Sequence, residues 1–585
     1  MQEIIGNKLK ELYPDVSGNL IQLQKTKSDF EGDITLVVFP LVRISRKSPE
    51  ETAKLIGEFL TNELSFVEGF NVVKGFLNLE ISTSYWLSEF HKILNTPNYG
   101  VREKSNKTYI VEYSSPNTNK PLHLGHLRNI FLGFSVANIL AANGHDVVKT
   151  QIINDRGIHI CKSMLAWQLF GEGETPESTG LKGDKLVGKY YVAFDKRYKE
   201  EIKELVTQGM EKEQAEKQAP ILIQAQEMLK KWEEGDEEVV QLWEMMNSWV
   251  YAGFDVTYNT MGVDFDSLYY ESDTYILGKD IVESGLSNGL LYQKEDGSVW
   301  CDLSEEKMDD KLLLRGDGTS VYMTQDVGTA VKRFNEFPAT VGMIYTVGNE
   351  QEHHFKVLFT ILKKLGYPFA EECFHLSYGM VNLPTGKMKS REGTVVDADD
   401  LMAEVINDAK EITEERGQIE NLNDQQRSQL FQQIGLGGLK YYLLKVDPKK
   451  SMMFNPEESI DLNGNTGPFI QYTYARTQSI IHKERGVLAK FNQDTEAEKS
   501  EIDIVKHLLE LPEMIKEAGK TYSPALVANY TYELVKLYNS FYQSVSIFKE
   551  ENKDKQNLRL LLTEKVADTV HFTMSLLGIE VPSKM

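Results

Sequence analysis

Two histidines flanking a leucine and a glycine, His123-Leu124-Gly125-His126, have the clearest capacity for chemistry in this chain. A neutral imidazole carries one N–H donor, and such a pair suits phosphate oxygens whose charge grows during phosphoryl or nucleotidyl transfer. Gly125 leaves the backbone open to a bulky group. The apolar run from Leu127 to Asn143, stopped by Gly144, predicts a buried helix. Its N-terminus would turn free N–H groups toward an anion. A second candidate lies far downstream: Gly386-Lys387-Met388-Lys389-Ser390-Arg391-Glu392-Gly393, a glycine-bounded loop dense in cations. Taken singly, the first motif also fits a pair of turn histidines, and Lys389 and Arg391 also fit a solvated loop. The sequence shows no convincing Ser/His/Asp or Cys/His set.

The elements that must position these residues follow from periodicity. Thr108 to Tyr113 is β-branched and apolar enough for a buried strand, so strand, loop and helix open a nucleotide-binding α/β unit. Further strands are expected at 144–155, 298–303, 320–324, 341–348 and 375–381, the last two buried and parallel. Ligands of open α/β sheets sit beyond the carboxyl ends of strands, so the two loops can face each other across one crevice. Helical, heavily charged text over about 196–250 predicts an insertion, spanning about 165–300, that splits this unit. Residues 1–105 read as a small α+β domain. There Ser48-Pro49-Glu50-Glu51 forms a capping box before a helix with Ala53, Ile56, Phe59 and Leu60 on one face. Residues 106–396 would be the catalytic nucleotide-binding domain, 397–452 a helical connector and 453–585 a C-terminal all-α bundle. The expected fold class is multidomain α/β, with a Rossmann-like parallel sheet split by a helical insertion.

With 585 residues, the chain is too long for one core. Its 41% hydrophobic and 10% aromatic content is that of a globular protein. No apolar run is long enough to cross a bilayer, and Met1 to Lys8 lack the basic start and apolar core of a signal peptide. Cys161, Cys301 and Cys373 are widely spaced, against a disulfide framework or a cysteine zinc site. A cytoplasmic location is expected. The net charge of −23 argues mildly against a polyanionic partner, although net charge does not locate charge.

The histidine and lysine loops together resemble those of the class I aminoacyl-tRNA synthetases. The wider text Glu112-Tyr113-Ser114-Ser115-Pro116-Asn117-Thr118-Asn119-Lys120-Pro121 resembles the arginyl-tRNA synthetases within that class. The resemblance implies ATP-dependent attachment of L-arginine to its tRNA through an arginyl-adenylate, with Mg²⁺ accompanying ATP and no tightly bound cofactor or dedicated metal site. It implies that His123 and His126 stabilise the triphosphate, beside Gly125, and that Lys387 neutralises departing pyrophosphate. The family's second loop lysine falls at Ser390 here, which leaves Lys120 first and Lys389 second as its replacement. Tyr322 and Asp326 match the family's guanidinium-binding pair, Glu112 a further acidic position, and Asn117 and Gln351 residues holding the backbone end of arginine. A planar fork of five donors suits carboxylates and a phenol oxygen. For tRNA, the resemblance points to Phe76 and Asn78 in the N-terminal domain, to Tyr472 and Arg476 in the C-terminal bundle, and to the terminal Met585. It also implies a monomer, and arginine activation that requires tRNA. Another class I synthetase, a small nucleotidyltransferase with a His-x-Gly-His loop, or a tRNA-binding regulator without catalysis are the competing readings.

Overall fold

Ser48 starts the helix Pro49–Glu63 as its capping box requires. The Glu51 N–H donates to the Ser48 hydroxyl at 3.3 Å, and the Ser48 N–H donates to the Glu51 carboxylate at 3.1 Å. Ala53, Ile56 and Leu60 are buried, and Phe59 is half-buried. The computed structural model describes residues 1–27, 29–382, 396–415, 422–483 and 490–585. These fall into two units: residues 1–99, 479–511 and 534–568 in one, and 100–478, 512–533 and 569–585 in the other.

In the first unit, strands β1 (Leu23–Lys25), β2 (Ile34–Val37), β3 (Val67–Val73) and β4 (Phe76–Ile81) form an antiparallel sheet in the order β1-β2-β4-β3. The helix Lys499–Leu509 packs against the helix Thr83–Leu94, and its Lys506 forms an ion pair with Asp33.

The second unit is built on five parallel strands. They are β5 (Thr108–Glu112), β6 (Asp146–Ile153), β7 (Ser267–Tyr270), β11 (Thr340–Gly348) and β12 (Phe374–Tyr378), in the order β12-β11-β5-β6-β7. Between β7 and β11, the strands β8 (Tyr292–Gln293), β9 (Val299–Cys301) and β10 (Lys311–Leu314) make a small antiparallel sheet. After β12, β13 (Val381–Asn382) pairs in parallel with β14 (Met452–Met453). The architecture is therefore a Rossmann-like parallel sheet interrupted by helices, with an N-terminal α+β part and a helical C-terminal part. The helix Leu124–Ala142 carries the chain from β5 to β6. It sits close on β5 because Gly133 has no side chain: a Cβ there would lie 2.3 Å from the Cβ of Tyr113.

Two expectations need correction. The stretch 320–324 is not a strand. Ser320 makes one isolated bridge and a helix, Tyr322–Glu336, starts two residues later. Met323, Val327, Ala330 and Val331 recur at helical spacing and are buried, and this burial overrides the β-branched flavour of the first turn. The inserted helices run from Ile158 to Met261, so the edge strand β7 lies inside the span read as insertion and belongs to the main sheet. Four residues are too short a run to announce a strand.

Arg128, two residues after the second motif histidine, is fully buried and pairs with no carboxylate among the described residues. Its Nη1 donates to the Gly379 carbonyl at 2.9 Å, and its Nη2 lies 3.3, 3.2 and 2.9 Å from the carbonyls of Asp447, Pro448 and Lys450. Burial lowers its pKa to about 10, so it stays charged at neutral pH. It thereby fixes the approach to β13, from which the chain enters the lysine-rich loop. The Asp447 and Pro448 carbonyls also accept from the N–H groups of Lys450 and Gly379, so Arg128→Met costs chiefly the donors to the Gly379 and Lys450 carbonyls, each at about 1–3 kcal/mol when buried. A drop in urea-unfolding stability of at least about 2 kcal/mol is expected; a change below about 1 kcal/mol would contradict this role.

Candidate functional site

The histidine motif begins its helix by a reciprocal cap. His123 is the N-cap residue in extended conformation, and its Nδ1 accepts from the Gly125 N–H at 3.1 Å. The His126 Nδ1 accepts from the His123 N–H at 3.1 Å. The rings lie 3.9 Å apart, centroid to centroid. An acceptor nitrogen carries no proton, so in the neutral ring the proton is on Nε2 in both. Burial, with the Lys120 ammonium adding to it, lowers the His123 pKa to about 4. Burial, then the neighbouring His123, then Lys120 push His126 far down as well. The pair therefore presents neutral Nε2–H donors at the mouth of the helix.

Lys387 and Lys389 lie outside the described residues, but both ends of their loop are placed. The Leu124 N–H donates to the Val396 carbonyl at 3.2 Å, and the Ala398 N–H donates to Leu122 at 2.9 Å, with His123 bridging Asp397. The chain thus returns from the lysine loop directly onto the histidine motif. The helix Gly183–Thr207 clamps the same root. Lys182 pairs with Asp184 and Asp399, and Lys185 with Asp400 at 2.7 Å and Asp397 at 3.5 Å. A cavity of about 280 Å³, lined by Lys120, His123, Lys185, Tyr191 and Asp397 among others, opens beside the motif.

The arginine candidates gather at the carboxyl end of the sheet. Asn117 is exposed just past β5, where the backbone pairs with Asn154. Gln351 is exposed on the turn after β11. Tyr322, 76% exposed, and Asp326 stand one turn apart on one helix face. The Asp326 carboxylate meets His354 Nε2 at 2.6 Å. Glu271, after β7, has its carboxyl raised by burial, with the charges of Asp155 and Asp326 contributing. Neither His354 nor Glu271 was singled out by the sequence; a polar residue just after a strand gives no distinguishing signal. Glu112 differs from expectation. It is buried at the end of β5, and its carboxylate is already held by the protein's own Arg333 at 2.5 Å.

Among the tRNA candidates, Phe76 packs edge-on against the exposed Phe39 at 5.3 Å. Asn78 lies within the sheet. It is 1% exposed, its Oδ1 accepts from Thr35 and its Nδ2 donates to Asn71, so its amide supports the sheet. Tyr472 and Arg476 lie one turn apart on the helix Gly467–Lys483, the guanidinium 5.0 Å from the ring. Met585 packs against a cluster that includes Ala409, Leu430, Phe431 and Ile434.

Three family models match: "Arginyl tRNA synthetase N terminal domain" over residues 1–81, "tRNA synthetases class I (R), catalytic domain" over 89–455, and "DALR anticodon binding domain" over 470–585. Arginine–tRNA ligases of Flavobacterium psychrophilum and Parabacteroides distasonis are 54% and 56% identical, covering 100% and 99% of this chain and 100% and 98% of their own. The chain belongs to the class I arginyl-tRNA synthetases. The Thermus thermophilus arginyl-tRNA synthetase shares the fold, with a TM-score of 0.78, 24% identity, and coverage of 100% of this chain and 99% of its own. Among the described residues of this synthetase, no helix is long and apolar enough to cross a membrane, and no three His, Cys, Asp or Glu side chains gather as metal ligands.

The ring protonation has a direct readout. Unfolded histidine titrates near 6.5, whereas folded His123 titrates near 4. The unfolded state therefore binds the extra proton, so stability is full above about 6.5 and falls as pH drops toward 4. In ¹⁵N-labelled protein both rings should show neutral Nε2–H shifts from pH 5.5 to 8; an inflection near 6.5 for either would contradict the assignment.

Proposed function

We propose that the chain is an arginine–tRNA ligase acting at this cleft in two steps. An arginine carboxylate oxygen attacks the α-phosphorus of ATP, the bond to the bridging oxygen breaks, and pyrophosphate leaves. A terminal ribose hydroxyl of the tRNA then attacks the acyl carbon, and AMP leaves. The observation that carries this reading is the capped histidine pair. Its Nδ1 atoms are spent on the helix start, so Nε2–H donors are fixed in place before phosphate charge develops. Neutral rings suit this work, because their donors stay unchanged across neutral pH.

In this reading His123, His126, Lys120 and Lys387 act on the triphosphate, with Gly125 giving close approach and Lys389 assisting. Mg²⁺ enters with ATP. Tyr322 and Asp326 take the guanidinium, with Glu271 adding negative charge and His354 fixing Asp326; Glu112, Asn117 and Gln351 complete the amino-acid pocket. Phe76 and the Tyr472–Arg476 pair contact tRNA. The C-terminal residues reach it through the helices on which Met585 packs. The N-terminal part, the connector and the C-terminal bundle serve tRNA binding around the catalytic domain, and the enzyme works as a cytoplasmic monomer.

The test is ATP–pyrophosphate exchange with each amino acid, in the presence of tRNA. Arginine alone should drive it; exchange driven by a different amino acid would overturn the reading. Asp326→Ala should raise the arginine KM by about a hundredfold, since a stranded guanidinium loses charge-assisted hydrogen bonds, while the ATP KM moves by less than about threefold. Equal increases would remove Asp326 from the pocket.

A further inference from the structure

Arg333 lies at the centre of the catalytic unit and has no role in the chemistry above. It is on the helix Tyr322–Glu336, two turns beyond Asp326 and three beyond Tyr322, and positions 322, 326 and 333 share one helix face. Its side chain is 1% exposed, against 9% for that of Glu112. Nη1 meets the Glu112 carboxylate at 2.5 Å. The guanidinium carbon stands 4.7 Å from the ring of Tyr269 and 6.0 Å from that of Tyr345, within cation–π range. Among the described residues, Nε and Nη2 have no hydrogen-bond partner.

Such a pair is a poor device for stability. Two ions are removed from water, only one nitrogen of the fork is engaged, and apolar side chains of similar volume would fill the space as well. What the pair accomplishes concerns Glu112. A carboxylate buried at the end of β5 is disfavoured by desolvation, and a fixed guanidinium offsets that cost. The aromatic rings confine the fork, and the fork confines the carboxylate.

We infer that Arg333 is a positioning residue for arginine recognition: it holds the Glu112 carboxylate in a single orientation beneath the amino-acid pocket formed by Tyr322 and Asp326. This rests on the reading of Glu112 as an arginine contact. A consequence follows for charge. The Arg333 guanidinium offsets the Glu112 carboxylate, so the acids left to face the substrate cation are Asp326, which His354 touches at 2.6 Å, and Glu271, which lies in the field of Arg156. A variant that neutralises Glu112 alone would leave Arg333 as a buried cation facing a cationic substrate.

The experiment measures arginylation with the full chain and tRNA, varying arginine and ATP separately, together with thermal unfolding. Arg333→Lys keeps the charge but loses the planar fork. It should raise the arginine KM by about tenfold or more, with the ATP KM within about twofold. Glu112→Gln should raise the arginine KM further than the double variant Glu112→Gln/Arg333→Met, which removes both charges and should regain thermal stability over Arg333→Met. An Arg333→Lys enzyme with the wild-type arginine KM, or one in which both KM values rise together, overturns the inference. If Glu112→Gln leaves the arginine KM unchanged, the assignment of Glu112 to the pocket fails, and the inference with it. If Glu112→Gln raises the arginine KM while Arg333→Lys does not, the assignment stands and only the role of Arg333 falls.

Discussion

Two backbone hydrogen bonds, from Leu124 to Val396 and from Ala398 to Leu122, hold together segments that are remote in sequence. The rest of the catalytic unit depends on this junction. Neither motif alone can stabilise a triphosphate whose charge is spread over several oxygens; donors must converge from more than one direction. The junction fixes one root of the lysine loop on the histidine motif. Arg128 fixes the approach to the other, through the carbonyls of Gly379, Asp447, Pro448 and Lys450. Both anchors belong to the same few residues at the start of one helix, so the geometry of the loop roots is set by where that helix begins.

That start is in turn set by the histidines. Reciprocal capping commits the Nδ1 of His123 and His126 to backbone N–H groups, which is the service Ser or Asp performs at ordinary helix N-termini. Using histidine instead leaves a second nitrogen on each ring with a defined proton. Structure and chemistry are thus carried by opposite edges of the same rings, and burial keeps them neutral. The electrostatics of the amino-acid end run the other way. There carboxylates dominate, and Arg333 is the internal cation that makes one of them, Glu112, tolerable.

Much of this was legible in the sequence, for reasons that differ by element. Thr108–Glu112 and Thr340–Gly348 read as strands because burial on both faces demands continuous apolar, β-branched runs. The capping box at Ser48 is a local signal, and local physics suffices to form it. The stretch 320–324 misled because its first residues favour a strand while the deciding contacts, those of Met323, Val327 and Ala330, come from the helix face that follows. A sequence cannot show that Thr35 and Asn71 bond the two ends of the Asn78 amide. The hold of Arg333 on Glu112 was invisible for the same reason, since a buried arginine in an amphipathic helix is indistinguishable from an exposed one until the fold supplies its partner. The resemblance of motifs supplied the family; contacts between remote segments had to come from the structure.

The central claim is that the histidine motif and the lysine loop act on a single triphosphate. A double-mutant cycle on the rate of adenylate formation tests it most directly, using His126→Ala, Lys387→Ala and the pair, with tRNA present. Groups that stabilise one transition state together are strongly non-additive. The account predicts that the second substitution costs far less in the background of the first than it does alone. Rate losses that multiply to within about twofold would show that the two segments act independently, and would contradict it.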